Sequence, residues 1–370
     1  MDFEDFSKVS YWMSLGAILT VLFDLGINQY LQVNYAGNIK KLAESLLGLK
    51  VILGFVITAI LGLFVHETPL FFFLTSYLFV SFQAFFSYYL RLQQKFFFDV
   101  VFNLFYYALF VLLFVYLLST DYWQPALLFA WFHFITRLVL LLLVFGLLVF
   151  VFKQRIQVLS LLREREQLKK ILGFSFLSVL FVSMQNVDSL ILYKTIESPA
   201  LFSKLSMVIK IGFLNFAFFD AFITFVSAME AKEGRQGPEV VTKQLKQCLL
   251  FGIFIAFGIH IMAFLLPFVV GEKWKGIADM SAWAIVNNIS LYVLLFFQFK
   301  LLAAGKVRPV AWGIVGLIAG SSLISYFFVS YQLYFLLNAV LKLIAASCFI
   351  IVYWKKNQLQ LNWRLQLSKA

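Results

Sequence analysis

Residues 331–354, YQLYFLLNAVLKLIAASCFIIVYW, decide the fold. They form an apolar run long enough to cross a bilayer as one α-helix, with a single charge, Lys342, near the middle. No soluble helix of this length is apolar on every face unless it lies inside a large core. Across the chain 62% of residues are hydrophobic and only 13% charged. That charged fraction is about half of what a water-facing surface requires. The forty-seven phenylalanines lie in long runs, not in short alternating strands, so helices are expected and a membrane barrel is not.

Outward from that segment, comparable runs cover roughly 8–33, 42–66, 69–91, 97–118, 125–152, 171–194, 199–228, 245–270, 277–304 and 309–329. The expectation is an all-α integral membrane protein with about eleven transmembrane helices. Basic residues orient it, because Lys- and Arg-rich loops resist translocation. Alternate loops carry Lys40/Lys41, Arg91/Lys95, Lys153 through Lys170, Lys232 to Lys246, Lys306/Arg308 and the tail from Lys355. The intervening loops are nearly bare. The basic set therefore faces the cytoplasm and the acidic start, Asp2 to Asp5, faces out. The net charge of +12 reflects this bias and contact with anionic membrane lipid, not nucleic acid. Cys248 and Cys348 form no metal spacing, and neither a cofactor nor a catalytic constellation is expected. An acidic N-terminus also argues against a signal peptide.

The chain repeats itself. Phe6-Ser7-Lys8-Val9-Ser10 matches Phe202-Ser203-Lys204-Leu205-Ser206, and at constant spacing Gly16 falls on Gly212, Asp24 on Asp220 and Lys50 on Lys246. Both copies enter from the same face, so the repeat is parallel. It predicts two pseudo-symmetric bundles: 1–152 with five helices and 171–354 with six, joined by a cytoplasmic linker, 153–170, and followed by a tail, 355–370. The first copy lacks a counterpart to the helix at 171–194, which suggests a missing first helix.

Asp24-Leu25-Gly26-Ile27, Asn186-Val187-Asp188-Ser189-Leu190-Ile191-Leu192, Ser198-Pro199-Ala200-Leu201-Phe202 and the turn Gly271-Glu272-Lys273-Trp274 resemble stretches of the polysaccharide (O-antigen) flippases. That family belongs, with the MATE drug antiporters, to the multidrug/oligosaccharidyl-lipid/polysaccharide exporter superfamily. The resemblance implies a MATE-like fold and a flippase for a lipid-linked oligosaccharide in the bacterial cytoplasmic membrane. It implies work beside a polysaccharide polymerase and glycosyltransferases, and a cationic cavity facing the substrate.

Ionisable groups at bilayer depth are costly and mark function by default. Arg137, Lys210 and Lys342 lie too deep to snorkel; His133 is one turn from Arg137, and Asn338 one turn from Lys342. These five residues form the expected substrate-binding set, with the cations available to a phosphate or pyrophosphate. The competing reading pairs each cation with an acid inside the bundle. Asp24 and Asp220 are expected as ion-coupling carboxylates or interhelical hydrogen-bonding groups, and Asp188 as a cation ligand or gate. Lys300, near the inner end of its segment, is expected to snorkel. A MATE-like antiporter of small, often cationic molecules is the alternative, disfavoured by three deep cations. A polymerase or ligase would carry a large outer loop, and none is present.

Overall fold

The breaks between helices follow local chemistry. Ser198 caps the helix that opens at Pro199, its Oγ accepting the Leu201 amide at 3.3 Å. The turn between Val270 and Ile277 needs two glycines, Gly271 and Gly276, whose φ angles of 114° and 91° exclude most side chains. The computed structural model describes residues 2–24, 39–92, 125–146, 165–216, 238–304 and 306–367, with a few isolated positions between.

Among the described residues ten helices are long and apolar enough to cross a membrane. They are α1 (Phe3–Asp24), α2 (Ile39–Phe64), α3 (Thr68–Leu92), α4 (Pro125–Gly146), α5 (Arg165–Thr195), α6 (Pro199–Gly212, whose span continues through a turn to Phe216), α7 (Pro238–Val270), α8 (Ile277–Ala303), α9 (Val307–Tyr326) and α10 (Tyr331–Leu367). The segment expected at 97–118 lies almost wholly outside the described residues. Two corrections concern length. The α5 helix begins at Arg165, inside the expected linker, and α10 continues past Trp354 into the expected tail. Nothing in either backbone stretch breaks a helix, because the charged residues there are good helix formers.

The chain divides into two compact units, Met1–Asn186 and Val187–Ala370, with the boundary inside α5. In unit 1, α3 is the hub, packed on α1, α2 and α4. In unit 2, α8 is the hub, packed on α6, α7, α9 and α10. These two hubs are the most enclosed spans, 56% and 61% buried against 39% or less for the others. Elsewhere the apolar side chains point outward, as with Phe55, Leu63 and Phe64 on α2 or Phe254, Phe268 and Val269 on α7. Such faces suit lipid tails.

Each hub is reached by a glycine. A Cβ on Gly16 of α1 would stand 2.2 Å from the Tyr77 ring of α3, and one on Gly252 of α7 would stand 2.6 Å from Tyr292 of α8. Small residues let helices approach closely where no hydrophobic effect drives them together.

The letter match of the repeat does not carry burial with it in the second helix. Lys50, matched to Lys246 by sequence, is fully buried, whereas Lys246 is exposed. The inward face of a helix, not its letter match, sets structural equivalence.

Candidate site: a carboxylate and an ammonium in unit 2

Three elements of unit 2 bring a cluster together. Asp188 projects from α5, Ser321 from α9, and Tyr334, Asn338 and Lys342 from α10. The last three are spaced four apart, so they stack along one helix face. Ser321 Oγ lies 2.7 and 2.6 Å from the two Asp188 carboxylate oxygens and 2.6 Å from Asn338 Oδ1. Tyr334 donates its hydroxyl to Asp188 Oδ2 at 2.8 Å. The Asn338 amide is fixed in orientation, because its Nδ2 donates to the Tyr334 carbonyl at 3.1 Å. Its oxygen therefore faces the cluster.

Ser321 and Tyr334 each bring one hydroxyl hydrogen, and the buried Ser325 hydroxyl of α9 also faces Asp188 and Tyr334. Oxygens from Asp188, Ser321, Tyr334 and Asn338 thus converge around a single carboxylate. Such a nest has the chemistry to hold a monovalent cation or a proton.

Lys342 sits one turn further along α10. Its Nζ donates to Asn287 Oδ1 of α8 at 2.5 Å, and the ammonium is within electrostatic reach of Asp188. Asp188, Asn287 and Lys342 are half-buried, while Tyr334 and Asn338 are buried. Two residues expected for substrate binding, Asn338 and Lys342, thus meet one expected for ion coupling, Asp188. Sequence reasoning missed Ser321, Tyr334 and Asn287. The only available signal was their polarity inside apolar segments.

Unit 1 treats its candidates differently. His133 is buried, its Nδ1 2.6 Å from Ser76 Oγ, and its ring lies against Phe73 and Tyr77 at 4.9 and 5.3 Å. That is an aromatic core site. Arg137, one turn on, is half-buried and donates to Gln83 Oε1 of α3. The structure therefore gives His133 and Arg137 separate partners, seven residues apart on α3.

Asp24 accepts from the fully buried Lys50 of α2 at 2.5 Å, with the Phe82 and Phe85 rings 5.9 and 5.7 Å from the ammonium. In the sequence Lys50 enters only as the repeat match of Lys246. In unit 2, Lys210 is half-buried with its Nζ 5.9 Å from the Phe213 ring centre. Asp220 lies outside the described residues. Lys300, expected to snorkel, is instead buried and donates to Gln244 Oε1 of α7 at 2.8 Å. The α7–α8 packing covers it, and a buried amide oxygen is a better partner than distant water.

No protein-family model matches the chain, and no curated protein matches its sequence. Solved structures do match. An outward-facing conformation of a multidrug resistance MATE family transporter of the MOP superfamily aligns with a TM-score of 0.66 at 13% identity, over 96% of this chain and 88% of that one. An inward-facing conformation of a multidrug resistance MATE family transporter of the MOP superfamily also gives 0.66 at 13% identity, over 100% and 97%. A MATE in complex with MaD3S gives 0.58 at 13% identity, over 100% and 90%. The chain has the MATE transporter fold, as the resemblance implied, and its ten membrane-length helices among the described residues make it a multi-pass membrane protein.

Proposed function

We propose that this chain exports a lipid-linked oligosaccharide, flipping a polyprenyl-pyrophosphate-linked unit across the bacterial cytoplasmic membrane by alternating access. The observation that carries this reading is the Lys342–Asn287 contact. The ammonium lies near the middle of its span and is held by a neutral carboxamide. Among the described residues no acid is bonded directly to it, and its remaining hydrogens can serve other acceptors. A cation kept at that depth needs a reason, and a phosphate-bearing headgroup supplies one. Arg137 in unit 1, also held by an amide, and Lys210 in unit 2 are further candidates for anion contact. The Asp188 nest serves as the ion-coupling site, and polysaccharide polymerase and glycosyltransferases are the proposed neighbours in the pathway.

A MATE-like antiporter of small cations is the second reading. The half-buried Asp188 carboxylate favours it, because a cationic substrate needs an acid. Lys342 beside that acid opposes it.

The test is complementation of a bacterial strain lacking its own polysaccharide flippase. Lys342→Ala and Arg137→Ala should each abolish surface polysaccharide at normal protein abundance. Unchanged polysaccharide in both variants, or drug resistance conferred by the wild type instead, would overturn the reading.

A further inference from the structure

Asp188 and Lys342 are opposite charges in one polar cluster, joined through Ser321, Asn338 and a single helix turn. With no cation in the oxygen nest, the Asp188 charge offsets the field of Lys342. An anion approaching the ammonium then meets a local net charge near zero. A monovalent cation in the nest neutralises Asp188 and leaves Lys342 with its full positive field. The site lies in a membrane interior of low effective dielectric, where one such charge is felt over several ångströms.

The mechanical link points the same way. Tyr334, Asn338 and Lys342 share one face of α10, and the first two line the nest. An ion that draws in the Tyr334 and Asn338 oxygens fixes the helix segment that presents the ammonium. Filling the nest thus pre-orders the anion site and unmasks its charge.

We infer that a monovalent cation at the Asp188 nest and an anionic headgroup at Lys342 bind cooperatively, each raising the affinity of the other. This rests on the anionic-substrate reading above and assigns the sign of its coupling. An exchanger in which a cationic substrate and an ion compete for one carboxylate has the opposite sign. By linkage, the enhancement is the same factor in both directions.

The experiment uses the full chain in lipid nanodiscs with farnesyl pyrophosphate as the anionic probe. Its Kd is measured at constant ionic strength in sodium, potassium or N-methylglucamine chloride. The expected result is binding tighter by on the order of tenfold in saturating sodium than in N-methylglucamine. Potassium matching sodium would also support the inference and mark the nest as unselective. Asp188→Asn should bind the probe tightly in every salt. Lys342→Gln should lose probe binding yet keep the sodium-induced rise in melting temperature, which shows that it is folded.

Equal Kd in sodium and N-methylglucamine would overturn the inference, and with a sodium-induced rise in melting temperature it would leave two independent sites. Weaker binding in sodium would overturn it in favour of exchange. Failure of the probe to bind in any salt would count against the anionic-substrate reading itself and would remove this inference with it.

Discussion

Lys50 and Asp24 form a 2.5 Å ion pair between α2 and α1 in which the ammonium has no exposed surface. The Phe82 and Phe85 rings stand over it. Removing one partner strands a charge, whereas replacing both with apolar residues removes the problem. Asp24→Asn or Lys50→Met alone should destabilise unit 1 by roughly 3–5 kcal/mol, and Lys50→Met with Asp24→Leu by far less. Melting temperatures in detergent check this; equal losses in single and double variants would refute it.

Gly16 is required by the ring it touches. Gly16→Ala should cost about 1–3 kcal/mol, because its Cβ would overlap the Tyr77 ring. Gly16→Ala with Tyr77→Leu should recover part of the loss. Gly316→Ala in α9 meets nothing within 4 Å and should be neutral or stabilising by up to about 1 kcal/mol, from helix propensity. Thermal unfolding of the three variants separates these outcomes.

His133 and Arg137 should part company when mutated. His133→Leu loses the Ser76 hydrogen bond, a cost of about 1 kcal/mol, but should leave export per folded molecule unchanged. Arg137→Ala should lose export without loss of abundance. Polysaccharide export normalised to membrane protein level distinguishes core from site. Lost export in folded His133→Leu would return the histidine to the substrate set.

Tyr334→Phe and Ser321→Ala each delete a hydroxyl from the Asp188 nest. Each deleted hydrogen bond to a charged group is worth about 1.5–3 kcal/mol, so sodium-dependent stabilisation should shrink in both. Ser322→Ala, one residue along α9, has no contact with the carboxylate among the described residues and is the control. Titrating melting temperature against sodium concentration gives the comparison.

Depth within a segment proved an uneven guide to the site. It placed Lys342 in mid-span, where the side chain meets a half-buried cluster, and Lys300 at the interface, where α7 in fact covers it. Both are lone lysines in apolar runs, and only the neighbouring helix distinguishes them. His133 looked like a partner of Arg137 because one turn separates them. In the structure its ring also lies against Phe73 and Tyr77.

What the sequence determined by itself was the membrane architecture. Apolar length and the alternation of basic loops are properties of each segment against the bilayer, and they need no knowledge of neighbours. The match of Phe6-Ser7-Lys8 to Phe202-Ser203-Lys204 is likewise legible only as letters along the chain. The tertiary structure alone decided which polar groups meet. Asp188 and Ser321 are 133 residues apart, and Lys342 and Asn287 are 55 apart. Hydrogen bonding acts over about 3 Å and carries no periodicity along the chain. Packing against the hub helix α8 and its neighbours therefore selected the partners, and with them the place where an acid and a base stand together.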